Sequence, residues 1–316
     1  MSLKVESTGP LALIVDGGRF GVRHLGVTQG GAMDWVSLGW ANWLLGNAFD
    51  AAGIEIMVGG LRLVAEADIT LALAGADLDA HVDDAPLSAS APGSRFTLKR
   101  GQRLSFGSPK RGLRAYLALP GGVAGEPLLG SLASTVREGL GGLDGQGKPL
   151  MKDDVLQPVL SSDAVPPEPS STGSPQAEAE IVTTAADAVT LDLVTGAQIA
   201  TFSGISLYRA FNEPWSVDQR ADRMGIRLTG PELGCSMKGM ISEGIPLGAV
   251  QVPPDGQPII LMNDRQTIGG YPRLGALTPL ACARLAQSLP GTKVRLAPIA
   301  PERARREHLA QLQVWR

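Results

Sequence analysis

The residues best suited to chemistry stand close together in Ser242–Arg273, SEGIPLGAVQVPPDGQPIILMNDRQTIGGYPR. Asn263, Asp264, Arg265 and Gln266 supply four hydrogen-bonding side chains where an apolar run ends, with Gln251 before them and Tyr271 after. A second group lies in GRFGVRHLGVTQGGAMD (Gly18–Asp34), where Arg19, Arg23, His24, Gln29 and Asp34 are set among five glycines. A third is the mixed-charge run Asp218-Gln219-Arg220-Ala221-Asp222-Arg223. Arg, Asp, Asn, Gln and Tyr around glycine-rich turns can hold amides, carboxylates and ureido groups, and can stabilise charge in a transition state. That suits transfer between small carbonyl and nitrogen groups, and it suits a pure binding site equally well. For the Asp218–Arg223 run, the alternative is a solvated turn with weak surface ion pairs.

Other chemistries lack their residues. There is no HExxH, no GxSxG elbow and no His/Cys cluster, so metal hydrolysis and Ser or Cys nucleophilic catalysis are not expected, and no metal is predicted. Gly142–Lys148 matches Gly-x4-Gly-Lys, but Pro149 replaces the Ser or Thr that would reach Mg²⁺. No buried strand is expected before this run and no helix after it, so it is not read as a nucleotide site. His81, in Ala80-His81-Val82, has no second ligand at metal spacing and reads as a half-exposed strand residue.

These groups need rigid elements to position them. Gly248–Val252 and Ile259–Met262 read as the strands of a hairpin turned by Pro253-Pro254-Asp255-Gly256, where Pro pre-sets φ and Gly supplies a positive φ. Leu11–Val15 reads as a strand. Asp34 is a good N-cap for a helix carrying Leu38, Ala41 and Leu45 and closed by Gly46-Asn47, and capping is compatible with a ligand role. Trp35, Trp40 and Trp43 fall on more than one face of that helix. From Ile54 to Leu119, short alternating runs with Gly or Pro punctuation predict a sandwich or barrel. A strand is expected at Asp154–Pro158. Thr278-Pro279 opens a short helix through Gln287, Lys293–Leu296 is a strand, and PERARREHLAQLQ is a charged amphipathic helix whose His308 is expected to face solvent.

With 316 residues the chain is long for one domain and comfortable for two. Leu160–Ala179, rich in Pro, Ser and acidic residues, reads as a linker. The expected division is a first β-barrel domain over 1–160, a linker or mobile loop over 161–189, and a second over 190–316 with the C-terminal helix. Arg19-Phe20-Gly21-Val22-Arg23, with Gly26, is echoed by Arg223-Met224-Gly225-Ile226-Arg227, with Gly230, which suggests two related units, each with an Arg-x-Gly-x-Arg strand. The formal net charge is −3 and no basic stretch could track a phosphate backbone, so nucleic acid is not an expected partner. Two cysteines exclude a disulfide scaffold and fit a reducing compartment. The N-terminal apolar run is too short for a membrane span and shows no signal-peptide pattern, so a soluble, cytoplasmic protein is expected.

DGGRFGVRHLGVTQGGAMD, ANWLLGN (Ala41–Asn47), EIMVGG (Glu55–Gly60), AGAD (Ala74–Asp77), RAYLALPGG (Arg114–Gly122), DRMGIRLTGP (Asp222–Pro231) and EGIPLGAVQVPPDGQPIILMNDRQTIGGYP (Glu243–Pro272) together resemble one family. It is the biotin-dependent carboxyltransferase, or allophanate hydrolase subunit 2, family, and the resemblance runs from about Leu11 to Leu296. It implies a mainly β protein of two tandem cyclophilin-like β-barrel domains with a few short helices. The function it favours is that of the C subunit of an ATP-dependent 5-oxoprolinase, a lactam and amide hydrolase inactive without separate A and B subunits. ATP would be used by the complex, and a homo-oligomer within that complex is left open. The alternatives are a carboxyltransferase moving carboxyl from carboxybiotin, borne by a partner protein, to urea or a small amide, and a non-catalytic regulator that binds a kinase inhibitor resembling the B subunit. No Met-Lys-Met biotin-carrier hairpin occurs in this chain.

By matching motif, the resemblance implies a shared site of Arg19, Asp34, Asp222, Arg223, Gln251, Asp264, Arg265 and Tyr271. Asp34 and Asp264 are expected to position or deprotonate an amide nitrogen. Arg265 and Arg223 would hold a carboxylate, carboxyl or phosphoryl group, and Gln251 and Tyr271 would orient the planar amide, with Arg19 and Asp222 also lining the site. One departure concerns Gly130-Ser131-Leu132-Ala133-Ser134-Thr135, where Leu132 stands in place of the family's usual Arg and removes a forked donor.

Overall fold

The computed structural model describes residues 1–87, 93–161, 164, 188–237 and 239–314. The linker expected over 161–189 falls almost wholly outside the described residues. The chain forms two compact units, one of Met1–Phe20 and Gly30–Val182, the other of Gly21–Gln29 and Thr183–Val314. The segment Gly21–Gln29 thus belongs to the unit built from the second half of the chain, where the sequence reading kept 1–160 whole.

The first unit is two antiparallel sheets. The six-stranded sheet has the order Val155–Leu156, Leu3–Ser7, Arg62–Ala65, Arg103–Phe106, Ala80–Val82, Ala85–Pro86. The five-stranded one has the order Leu11–Val15, Gly53–Met57, Arg111–Ala118, Ile69–Asp77, Gly93–Leu98. Strand alternation explains why the two share a core. Leu3, Val5, Leu63 and Leu104 of one sheet pack with Ile54, Ile56, Leu71 and Leu117 of the other. The opposite face of the five-stranded sheet, through Leu13, Val15, Ala72, Tyr116 and Ala118, is covered by Leu38, Trp40, Ala41 and Leu44 of the helix Trp35–Leu44. This sheet is therefore buried on both faces, which accounts for nearly continuous apolar runs such as Ile69–Ala74. Trp40 stacks on Trp43 with ring centroids 5.2 Å apart. Gly93 makes room for Trp40, because a Cβ there would stand 2.3 Å from the indole nitrogen.

The second unit is a closed seven-stranded barrel in the order Val189–Thr195, Arg273–Leu277, Ala249–Gln251, Ile259–Leu261, Gly225–Thr229, Trp215–Val217, Lys293–Pro298. It closes by parallel pairing of Lys293–Pro298 with Val189–Thr195. The helices Gly204–Asn212, Pro279–Ala286 and Pro301–Gln313 complete it. Among the described residues the chain is mainly β with four short helices, as expected.

The expected hairpin is present. Val250 pairs with Ile260, and Gly256, at φ 71°, donates its amide to the Pro253 carbonyl at 2.9 Å to close the turn. The Arg-x-Gly-x-Arg echo, by contrast, is not a structural repeat. Arg223–Arg227 enters the strand Gly225–Thr229, whereas Arg19–Arg23 is loop leading into the 3-10 turn Arg23–Leu25. The five glycines of that loop hold it out of any sheet ladder, which no matching of residue types could reveal. His308 is half-buried and burial lowers its pKa, correcting the expectation that it faces solvent. Among the described residues no helix is long and apolar enough to cross a membrane.

Candidate functional site

Within the second unit, the barrel register brings Asp222–Arg223 and Asn263–Arg265 together. Gly225 pairs with Leu261 at the end of two neighbouring strands, so the residues just outside each strand face one another. The Asp264 amide donates to the Arg223 carbonyl at 2.9 Å, and the Met262 amide to the Met224 carbonyl at 2.9 Å. The Arg223 guanidinium then grips the Asp264 carboxylate, Nε to Oδ2 at 2.9 Å and Nη2 to Oδ1 at 3.1 Å, with both side chains buried. This forked geometry is the strong form of the Arg–carboxylate bond.

Arg265 follows directly and is buried, at 2 % exposure. It donates from Nε to the Ile245 carbonyl (3.1 Å), from Nη1 to the Met262 carbonyl (3.2 Å) and from Nη2 to Oε1 of Gln29 (3.3 Å). Arg23 reaches the same carbonyl, its Nη2 lying 2.8 Å from Ile245 O, 3.1 Å from Gln266 O and 3.2 Å from Thr267 O. Burial, and next the charge of Arg23, hold Arg265 down to about 10. Burial likewise lowers Arg23. Gln251 is buried on the strand Ala249–Gln251, and its Nε2 has no hydrogen-bond partner among the described residues. Gly269 lies against it: a Cβ there would be 2.8 Å from Gln251 Nε2 and 2.5 Å from Ile245 Cδ1.

The other two candidates of this unit sit differently. Tyr271 is 45 % exposed and lines a cavity of about 500 Å³ with Cys235, Met237, Val252, Pro253 and Pro254. Asp222 is exposed and its Oδ1 accepts the amides of Met224 (2.8 Å) and Gly225 (2.9 Å), so it builds the turn that presents Arg223.

Arg19 and Asp34 lie in the first unit. Arg19 is fully buried and donates to the carbonyls of Leu128 (3.1 Å), Ser131 (3.4 Å) and Ala133 (2.7 Å). It thereby ties down the segment that carries Leu132. Leu132 itself donates its amide to Asp16 at 2.7 Å and packs on the core. Asp34 caps the helix as expected, accepting from Ser37 N at 3.1 Å and from Ser37 Oγ at 2.5 Å. Beneath it runs a buried chain of bonds. Tyr116 Oη accepts from the Asp34 amide (2.8 Å) and donates to Glu55 Oε2 (2.7 Å), which also accepts from the Met33 amide (2.9 Å). Burial, then the charges of Glu55 and Asp34, push the Tyr116 phenol well above its usual range, so it stays a proton donor.

Arg23, Gln29, Glu55 and Tyr116 were not placed in the expected shared site. Arg23 and Gln29 carried a signal, as polar residues in a glycine-shaped loop. Glu55 and Tyr116 sit in apolar strand runs and carried none. The Gly142–Lys148 run forms no phosphate loop: Lys148 pairs with Asp144 at 3.0 Å, and no helix follows. Among the described residues no group of three or more His, Cys, Asp or Glu could hold a metal ion.

The family model for the carboxyltransferase domain, subdomain A and B, matches residues 25–298, a range that includes Gln29, Arg223, Gln251, Asp264 and Arg265 and draws on both units. The chain belongs to this family. Among its relatives, the C subunit of 5-oxoprolinase from Escherichia coli is 35% identical over 303 residues, covering 96% of this chain and 93% of that one. The protein of the same name in Haemophilus influenzae is 31% identical, covering 93% and 90%. The crystal structure of Kluyveromyces lactis urea amidolyase superposes with a TM-score of 0.86 at 26% identity over 99% of this chain, which spans only 20% of that much longer one. The family's relatives are thus subunits or regions of multi-part enzymes.

Proposed function

We propose that this chain is the C subunit of an ATP-dependent 5-oxoprolinase, acting on a lactam only in complex with separate A and B subunits, in the cytoplasm. The observation that carries this reading is the 35% identity to a protein of that name over 96% of this chain and 93% of that one. In this reading the working cluster is that of the second unit. Arg265 contributes buried positive charge, Gln251 an amide that can orient a planar lactam, and the Arg223–Asp264 pair fixes the loop that carries Arg265. Asp264 has both oxygens engaged by Arg223, so it serves first to hold that geometry. Asp34 is engaged by Ser37 in the same way and holds the start of its helix. ATP is used by the complex, and Gly142–Lys148 of this chain lacks the loop-to-helix geometry that cradles phosphates.

The deciding experiment is ATP hydrolysis by the co-expressed A and B subunits, with and without 5-oxoproline and with and without this chain. Stimulation by 5-oxoproline that requires the chain is expected; its absence with a well-formed complex would sink the reading. The second reading, a carboxyltransferase, is favoured by the TM-score of 0.86 to urea amidolyase over 99% of the chain. It predicts activity only with urea or a small amide and a biotin-bearing partner protein.

A further inference from the structure

The second unit holds more buried positive charge than its carboxylates answer. Arg223, Arg265 and Arg23 meet around the loop after Ile259–Leu261, and Arg223 alone takes up Asp264. Among the described residues, Arg265 and Arg23 have only neutral hydrogen-bond partners, backbone carbonyls and the Gln29 amide oxygen, and both are drawn to the one carbonyl of Ile245. Bringing the half-buried Arg23 guanidinium up to the buried one of Arg265 is unfavourable unless something offsets their charge. Two buried donors around the same residue also lack acceptors there, Arg23 Nη1 and Gln251 Nε2. Gly269 packs directly against Gln251 and Ile245, so close that a Cβ there would stand 2.8 Å from Gln251 Nε2 and 2.5 Å from Ile245 Cδ1.

We propose that Arg23 and Arg265, with the Gln251 amide, form a receptor for a small carboxylate, which on the 5-oxoprolinase reading is the carboxylate of the lactam substrate. A planar carboxylate offers acceptors to donors fixed in place, and it supplies the negative charge that the cluster lacks. The depression of Arg265 to about 10, by burial and by Arg23, agrees with a site whose counter-charge arrives with the ligand. Gln251 then reads the neutral part of the ligand, since a buried amide left unpaired discriminates against ligands that cannot satisfy it.

The test is calorimetric titration of the full-length chain, alone and in complex with the B subunit, with 5-oxoproline, its neutral carboxamide and acetate. Binding of 5-oxoproline but not of the carboxamide is expected. Arg23→Met should weaken binding by about tenfold or more, with Arg23→Lys recovering part of the loss. Gln251→Met should weaken 5-oxoproline more than acetate. Circular dichroism checks that each variant is folded, and Arg23, less deeply buried than Arg265, is the safer replacement. Equal binding of the carboxamide, wild-type affinity in folded Arg23→Met, or no carboxylate binding by either the chain or the complex would each overturn the proposal. Acetate binding through Arg23 with 5-oxoproline silent would keep the carboxylate site and remove 5-oxoproline as the substrate.

Discussion

Arg223 and Asp264 form a two-pronged ion pair, at 2.9 and 3.1 Å, in which both side chains are more than nine-tenths buried. Removing one partner strands a buried charge, which typically costs about 3–5 kcal/mol, whereas replacing both with apolar residues costs much less. Asp264→Asn is therefore expected to lower unfolding stability as well as turnover, and the Arg223→Met/Asp264→Leu double variant to recover much of the stability but none of the turnover. Urea denaturation of wild type, Arg223→Met, Asp264→Leu and the double variant measures the coupling. Strict additivity of the single effects would show that the pair does not act as a unit.

Asp34 serves the first helix directly. Asp34→Ala removes the acceptor for the Ser37 amide and hydroxyl and should cost about 1–2 kcal/mol. Asp34→Asn keeps a capping acceptor and should cost less. If Asp34 also works on substrate, Asn will abolish turnover at nearly unchanged stability, so measuring both separates the roles.

Tyr116 donates to Glu55 beside the Met33 amide and the buried Arg114 guanidinium. Tyr116→Phe leaves the Asp34 amide without its acceptor and removes one hydrogen bond from a buried carboxylate, with an expected loss of about 1–3 kcal/mol. Equal stability of the variant across thermal and chemical unfolding would show that the network is not under strain from its loss.

The two cysteines should differ sharply. Cys282 is fully buried and burial pushes its thiol up to about 12, against an ordinary value near 9. Native protein at pH 8 should therefore be alkylated at Cys235 and at Cys282 only after unfolding, as read by peptide mass spectrometry. The folded thiol keeps its proton where the unfolded one loses it. Its contribution is thus complete below about pH 9 and disappears as pH rises toward 12, at on the order of 1 kcal/mol per pH unit. Arg265, depressed to about 10, acts in the opposite direction above that pH. The Cys282 effect is consequently clearest between pH 9 and 10, as a difference in stability slope between wild type and Cys282→Ala.

Local features of the fold were legible from residue types. The Asp34 cap, the Thr278-Pro279 helix start and the Pro253–Gly256 turn each depend on a few adjacent residues whose backbone preferences are strong. The echo between Arg19–Arg23 and Arg223–Arg227 misled, because identical residue types took a loop in one place and a strand entry in the other. The position of Glu55 was hidden, since an acid within GIEIM looks like the exposed face of a strand until the helix Trp35–Leu44 covers that side of the sheet.

By itself the sequence determined the β-rich architecture, the helix ends, the hairpin and the polar residues gathered after Met262, because periodicity, turn chemistry and caps act within a few residues of one another. Only the tertiary structure decided that Arg223 faces Asp264, 41 residues away, since that pairing follows from the register of Gly225 with Leu261. It alone decided that Arg23 shares the carbonyl of Ile245 with Arg265, across 222 residues. Guanidinium groups bond wherever the folded backbone leaves carbonyls within reach, and which carbonyls those are is settled when the barrel closes.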